Sequence, residues 1–420
     1  MKLQLTAAAL AAVVATALVA CQRQTPPAQE ATTATPAPET TPAAADAPKP
    51  AVTDLEQLAQ RVVTQSAAVK EGEIVYINGR SHDAELIENL AVNVRKVGGF
   101  PLVEYNSDRL AKRLFFDVPD KYDTQMDALS RKLADDVDVV ITLGNNASEN
   151  LFEGADPKRM AARGKANEPV MQAFLKNVRT VEIGNNLYPT PWRAQRYGMS
   201  EDELAKTFWN GVNLDYSELQ TRGEQVKAAL AGGNDVHITN PNGTDLKLRV
   251  QGRPVLVSDG IVSADDLKRG GVAASAYLPA GEVYTTPVPG SAEGKLVHSR
   301  TFFRGKQVDN LTLTIAGGKV TAMTGEGPGY ADLKAEYDAV DDARKDLVGF
   351  IDLGINPNVK LPASSTIGNW VPAGAVTVGT GVNIWAGGDN SVPYGLVVFL
   401  PGSTVTLDGK PIVENGALKI

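Results

Sequence analysis

Residues 279–287 read PAGEVYTTP and join a tight turn to the start of a β-strand. Proline fixes φ and glycine accepts positive φ, so Pro279-Ala280-Gly281 is typical of a turn. The valine, tyrosine and threonine that follow favour a strand, which Pro287 ends. This pattern places one carboxylate, that of Glu282, at a strand end, a rigid and reachable position that suits a metal ligand or a general base. The alternative is a solvated glutamate beside a turn.

Upstream of this stretch, helical and strand patterns alternate over residues 53–185. Because strands that alternate with helices form parallel sheets, this range predicts an α/β domain with a parallel sheet. The predicted strands are 73–77, 101–105, 137–143 and 178–183, and the predicted helices are 54–69, 84–97, 123–134 and 157–175.

Two loops that follow strands of this domain are candidates for ligand contact, since ligands bind at the carboxyl ends of parallel strands. They are Gly79-Arg80-Ser81-His82 and Gly144-Asn145-Asn146. His82 itself fits the start of a helix better than a catalytic role. No dinucleotide-binding fingerprint follows the first strand, so the sequence indicates no nucleotide.

The second half of the chain has a different character. The pattern of residues 186–233 predicts a helical connector, in which Ser200 and Glu203 have the spacing of a capping box. Short strand patterns with glycine-rich turns then fill residues 234–420 and predict a β-rich, barrel-like domain. Asp408-Gly409 is a strong signal for a hairpin turn.

The first 20 residues are typical of a secretory signal, with Lys2 followed by a short apolar run. The run ends in Leu18-Val19-Ala20-Cys21, which resembles a bacterial lipobox and implies cleavage before Cys21 and lipid on that cysteine. An ordinary signal peptide, or a cytosolic protein with an apolar start, is the alternative. Gln22 after the cysteine favours the outer membrane, with the protein facing the periplasm. Residues 21–52 are rich in Pro, Ala and Thr and predict a disordered tether.

Composition limits the partners. The chain has 420 residues, a net charge of −8 and 43% hydrophobic residues, values of an ordinary globular protein with more than one domain. An acidic chain of this kind indicates no nucleic-acid partner. Cys21 is the single cysteine, so the chain forms no internal disulfide.

Several motifs together resemble the thermophilic metallo-aminopeptidases, the aminopeptidase T group. They are Asn242 to Leu246, Gly252-Arg253, Tyr277 to Pro287, the run from Pro189 to Tyr216, Leu353 to Pro357 and Val405 to Lys410. The resemblance covers about residues 70–420 and is strongest from Pro189 to Pro287. It implies an α/β domain followed by a β-rich metal domain, a homodimer, and removal of N-terminal residues from peptides by a pair of divalent metals such as Zn²⁺, Co²⁺ or Mg²⁺.

The resemblance also implies a ligand set that this chain retains only in part. Glu282 occupies the position of one glutamate ligand. Non-ligating residues occupy the other ligand positions. Phe350 lies where a second glutamate is implied, Thr377 where a histidine is implied, and Tyr394 and Leu396 where a His-x-Asp pair is implied. Asp352, two residues after Phe350, is the candidate substitute.

The histidine inventory supports this loss, because the three histidines, His82, His237 and His298, all precede residues 374–396, where the resemblance implies the imidazole ligands. An all-oxygen site of Glu282, Asp352 and Asp389 for Mg²⁺ or Ca²⁺ is a further alternative. Two interpretations remain open. One is a lipid-anchored peptidase with an altered metal site; the other is a relative that has lost or reduced its activity and binds peptides, or serves a structural role in the envelope.

Overall fold

The computed structural model describes residues 53–420 except 363, 364, 366 and 393. The predicted signal peptide, Cys21 and tether lie outside the described residues. The helices are α1 (Leu55–Arg61), α2 (Ala84–Lys96), α3 (Asp108–Phe116), α4 (Ala128–Asp136), α5 (Pro157–Asn177), α6 (Pro191–Tyr197), α7 (Glu201–Val212), α8 (Tyr216–Gly232), α9 (Ala264–Arg269) and α10 (Tyr330–Ala339).

The strands fall into three sheets. They are β1 (Ile74–Arg80), β2 (Phe100–Asn106), β3 (Val139–Leu143), β4 (Arg179–Ile183), β5 (Asp235–Thr239), β6 (Asp245–Arg249), β7 (Val255–Ser258), β8 (Ser275–Leu278), β9 (Glu282–Thr285), β10 (Glu293–Phe303), β11 (Lys306–Ala316), β12 (Lys319–Glu326), β13 (Val348–Gly354), β14 (Val376–Thr380), β15 (Val397–Phe399), β16 (Thr404–Leu407), β17 (Lys410–Glu414) and β18 (Ala417–Leu418).

The first sheet is parallel and has the order β2-β1-β3-β4-β8. The central strands β1 and β3 are buried on both faces because helices cover each side, whereas the edge strand β2 is partly exposed. Leu86, Leu90 and the rest of the inner face of α2 pack against one side, while α4 and α5 pack against the other with residues such as Phe174. The prediction of an α/β domain with a parallel sheet is confirmed.

The fifth strand of this sheet comes from far along the chain. β8 pairs with β4, so that Tyr277 lies beside Glu182 and Leu278 beside Ile183. The residues of β8 lie within the range 234–420 that the sequence assigns to the β-rich half. The turn at residues 279–281 therefore leads the chain directly from the parallel sheet into an antiparallel one.

The β-rich half contains two antiparallel sheets. One has the order β12-β11-β10-β6-β5-β16-β17-β18 and the other β15-β14-β13-β9-β7. In the described strands both sheets are open, so the β-rich domain is confirmed but not the barrel-like closure. The turn at Asp408-Gly409 joins β16 to β17 with positive φ at both residues, as its sequence predicts.

One predicted helix is misplaced. The range 123–134 was expected to be helical, but α4 begins at Ala128 because Asp127 caps it, accepting hydrogen bonds from two backbone N–H groups of its first turn. Asp123 instead forms ion pairs with Arg159 and Arg163 of α5. The capping box at Ser200 and Glu203 is formed, as predicted. In the described part of the chain, no helix has the length and apolar character needed to cross a bilayer.

Candidate functional site

Glu282 is buried at the junction of the parallel sheet and the smaller antiparallel sheet. It is the first residue of β9, and only 1% of its surface is exposed. Its strand neighbours are Ser258 of β7 on one side and Gly354 of β13 on the other. The alternative of a solvated surface glutamate is therefore wrong.

Asn185 holds the Glu282 carboxylate in place. Its side-chain N–H₂ group donates to Oε1 of Glu282 at 3.2 Å and to the carbonyl of Pro279 at 2.8 Å. The indole N–H of Trp370 donates to the Asn185 side-chain oxygen at 2.8 Å. This chain of buried hydrogen bonds fixes both the carboxylate and the turn before it.

The turn before Glu282 requires glycine. Gly281 has φ of +130°, and an ideal Cβ there would lie 2.7 Å from the Cβ of Asn356 and 2.9 Å from its backbone nitrogen. The Asn356 side chain in turn donates to the carbonyls of Ala280 at 2.7 Å and Gly211 at 3.1 Å. The close approach locks the turn against the end of β13.

Asp352 shares a sheet face with Glu282. Residues directly opposite in antiparallel strands lie on the same face, as do residues two apart in one strand. Asp352 lies opposite Tyr284 of β9 and opposite Thr377 of β14. The structure thus brings Glu282, Asp352 and the predicted ligand position Thr377 to one face.

Phe350 lies on this same face, where the resemblance implies a second glutamate. It is buried, opposite Gly379. Its ring packs edge-on against Trp385 with centroids 4.6 Å apart, and Trp385 also contacts Tyr284 at 5.1 Å. An aromatic cluster of Phe350, Trp385 and Tyr284 therefore lies on the face that carries Glu282.

The side chains at the other candidate ligand positions pack in other surroundings or are exposed. Tyr394 packs its ring against Tyr337 of α10, with centroids 5.7 Å apart. Leu396 packs partly buried against the main hydrophobic core. Asp389 is exposed. The described residues contain no group of three or more His, Cys, Asp or Glu side chains placed to hold a metal ion, so Asp389 does not complete an all-oxygen site.

A cavity of about 380 Å³ opens beside Glu282. Its polar wall includes Glu282, Tyr284 and Tyr277, and its apolar wall includes Met171 and Phe174 of α5. Burial raises the pKa of Tyr284, and the charges of Glu282 and Asp352 raise it further. Burial likewise raises the pKa of Tyr277, with contributions from Glu182 and Glu282. Both hydroxyl groups keep their protons at neutral pH.

Two further carboxylates line the cavity, those of Asp259 in the loop after β7 and of Asp266 in α9. Burial raises the pKa of Asp259, although its carboxylate accepts a hydrogen bond from the backbone N–H of Ile261 at 3.0 Å. The single Arg or Lys among the described residues that line the cavity is Arg269 of α9. The carboxylates of the cavity wall therefore share the cationic side chain of Arg269.

The two candidate loops of the α/β domain bind each other. Asn145 accepts from the backbone N–H of Arg80 at 2.9 Å and donates to Asp83 at 2.5 Å. Asn146 accepts from the guanidinium of Arg193 at 2.9 Å. These contacts brace the carboxyl edge of the sheet between β1 and β3. His82 lies in the 3₁₀ turn before α2, as predicted, and its hydrogen bond with Asp83 raises its pKa against the effect of burial.

Three residues of the site had no role in the sequence analysis: Asn185, Asp259 and Arg269. Each comes from a loop or a short helix that approaches Glu282 only in the folded chain. A local signal exists only for Asn185, which follows Gly184 directly after β4. An asparagine in such a turn accepts positive φ, and Asn185 has φ of 38°.

Comparison with known proteins assigns the family. The model of the thermophilic metalloprotease (M29) family matches residues 52–337. The chain belongs to this family. Wild-type AmpT from Thermus thermophilus has a similar structure, with a TM-score of 0.68 at 18% identity over 87% of this chain and 99% of AmpT. No curated protein sequence matches the chain significantly.

A second M29-like fold occurs in a different enzyme. The 2,5-dihydroxypyridine dioxygenase of Pseudomonas putida KT2440 has a TM-score of 0.53 at 15% identity, over 87% of this chain and 96% of that protein. Structural similarity at such low sequence identity shows a shared fold, and the activity has to be argued from the residues of the site. The aminopeptidase T-like architecture predicted from the sequence is confirmed.

The metal pair that an M29 metalloprotease implies does not fit these residues. A dinuclear centre needs several carboxylate or imidazole donors that converge on one point. Here Glu282 and Asp352 share a face, but Phe350 brings a ring that packs on Trp385, and Thr377 brings a hydroxyl group. Two carboxylates are too few to hold two metal ions, and aromatic rings fill the space beside them.

Proposed function

We propose that this M29 family member binds the ammonium end of a peptide in the cavity beside Glu282 and has lost or reduced the hydrolytic activity of its relatives. The observation that carries the proposal is the pairing of a buried, firmly held carboxylate with an aromatic cluster where further metal ligands are implied. A divalent metal at Glu282 and Asp352 is the competing occupant.

An amine suits this environment chemically. Glu282 supplies negative charge at low exposure, where attraction between opposite charges is stronger than in water. The rings of Tyr284 and Trp385 line the same cavity, and aromatic faces attract cations. The apolar wall at Met171 and Phe174 suits an aliphatic or aromatic side chain on the first residue of the ligand.

We further propose that the chain acts at the cell envelope. The lipobox-like ending at Cys21 supports a lipid anchor, and several acyl chains hold a protein stably at a membrane. The tether at residues 21–52 would separate the folded part from the bilayer. The proposal places the protein at the outer membrane, facing the periplasm, and family resemblance supports a homodimer. A structural envelope role without ligand is the alternative, and saturable binding in the calorimetry below would exclude it.

A peptidase with an altered metal site is the second candidate, because Glu282 and Asp352 lie on one face of adjacent strands. Metal content and turnover separate the two. The full chain in detergent is incubated with Zn²⁺, Co²⁺ or Mg²⁺, and bound metal and release of leucine from a chromogenic leucyl amide are both measured. Stoichiometric metal and turnover that both disappear in Glu282→Gln would overturn the binding proposal.

Calorimetry with leucinamide tests binding directly. We expect saturable binding to the full chain that falls by about tenfold or more in Glu282→Gln, since charged hydrogen bonds contribute roughly 1.5–3 kcal/mol. N-acetyl-leucinamide, which lacks the ammonium group, should not bind. The control Glu326→Gln removes an exposed carboxylate and should leave binding unchanged.

A further inference from the structure

The cavity beside Glu282 has a cationic side that the binding of an amine leaves unused. Arg269 ends α9, which with the 3₁₀ turn Gly271–Ala274 forms part of the cavity wall. Burial and the nearby carboxylates raise the pKa of Tyr284, while the charge of Arg269 acts in the opposite direction. The guanidinium is therefore within electrostatic reach of the hydroxyl group that lies beside Glu282.

Arg269 is held at the cavity with donors to spare. Its ion pair with Asp266 uses one of its two terminal nitrogens. Asp266 is itself fixed by Ser263, whose backbone N–H donates to it at 2.8 Å and whose hydroxyl donates at 2.6 Å. Because a guanidinium carries five N–H donors in a planar fork, the remaining ones can bind a second carboxylate. The side chain is 51% exposed, so a ligand can reach it.

The cavity size limits the ligand. A volume of about 380 Å³ is at the lower end of the range of roughly 300–1,000 Å³ for small-molecule sites. A long peptide would have to leave the cavity, and its carboxylate would then lie far from Arg269. A ligand that ends within the cavity presents an ammonium group and a carboxylate to the same site.

We infer that the ligand is a short zwitterion, a free apolar amino acid or a dipeptide, whose ammonium group binds Glu282 and whose carboxylate binds Arg269. The inference rests on the proposed function, since it names the chemical class that the same cavity takes. It makes Arg269 a specificity-determining residue that selects ligands with a free carboxylate over amines and peptide amides.

Calorimetry on the full chain in detergent tests the inference with four probes: leucine, leucyl-leucine, leucinamide and N-acetyl-leucine. We expect leucine or leucyl-leucine to bind roughly tenfold to a hundredfold more tightly than leucinamide, the range that one charged hydrogen-bonded contact supplies. Whichever of leucine and leucyl-leucine binds more tightly shows whether the ligand is a free amino acid or a dipeptide. N-acetyl-leucine, which has the carboxylate alone, should bind weakly.

Variants assign this preference to Arg269. Arg269→Gln should abolish the advantage of the zwitterions over leucinamide, while Arg269→Lys keeps the charge and part of the preference. The matched control is Lys268→Gln, which removes the adjacent cation; Lys268 pairs with Asp265 and does not line the cavity.

The outcomes separate the two proposals. If leucinamide binds as tightly as the zwitterions and Arg269→Gln changes nothing, the zwitterion inference is wrong and the binding of amines stands. If none of the four probes binds, the proposed function fails together with the inference.

Discussion

Replacement of His298 should flatten the pH dependence of stability. His298 lies on β10 and is buried, with its ring 5.9 Å from that of Phe399. Within the described part of the chain, neither ring nitrogen has a hydrogen-bond partner. Burial lowers the pKa of His298 from 6.5 to about 4, so the folded chain holds this histidine neutral.

The sign and size follow from proton linkage. Well above pH 6.5 the ring is neutral in both the folded and the unfolded chain, and it then costs no stability through proton uptake. As the pH falls toward 4, the unfolded chain takes up a proton that the folded chain does not. The difference of 2.5 pKa units, from 6.5 to about 4, corresponds to a loss of roughly 3 kcal/mol, of which about 2 kcal/mol falls between about pH 7 and about pH 5.

Chemical denaturation at these two pH values measures the effect. The free energy of unfolding of the wild type should fall by about 2 kcal/mol more than that of His298→Leu, which has no titrating ring at this position. His237→Gln is the control, since His237 lies at the surface beside Asp245. Parallel decreases in the wild type and His298→Leu would refute the reasoning.

Two further substitutions test the packing around Glu282. Phe350→Ala should lower the free energy of unfolding by about 3–5 kcal/mol, whereas Phe100→Ala, at a position 54% exposed, should cost less than about 1 kcal/mol in the same denaturant titration; similar losses would show that Phe350 is not a packed core residue. Gly281→Ala should cost at least roughly 1–3 kcal/mol through strain and abolish leucinamide binding, because its Cβ would collide with Asn356. Gly402→Ala also has positive φ but open space, so an equal loss there would attribute the effect to backbone strain alone.

The sequence predicted those parts of the fold that depend on local pattern. Alternating helices and strands, the capping box at Ser200 and the turn at Asp408-Gly409 each depend on neighbouring residues, and each is found. The helix α3 was missed although Ser107 caps it by accepting from the N–H of Leu110. Its apolar residues recur with helical spacing, but the helix has only 9 residues and lies between a strand and a loop, so the short segment was passed over.

Strand pairing between distant parts of the chain could not be predicted from the sequence. β8 is a four-residue strand whose partner, β4, lies nearly one hundred positions earlier, and no local pattern distinguishes such a parallel partner from an antiparallel one. For the site, the turn chemistry predicted the position of Glu282. Asn185 and Arg269 were missed because only the packing of separate elements brings Asn185 to Glu282 and Arg269 to the cavity.

The residues around Glu282 decide what its carboxylate can bind. A carboxylate beside two metals is largely neutralised by them, whereas here its neighbours include Phe350, Trp385 and the protonated hydroxyl of Tyr284. Burying a negative charge is costly unless a cation or hydrogen bonds compensate. The hydrogen bond from Asn185 supplies part of that compensation. A ligand ammonium group would add a full opposite charge beside the same carboxylate, next to aromatic rings whose faces attract cations.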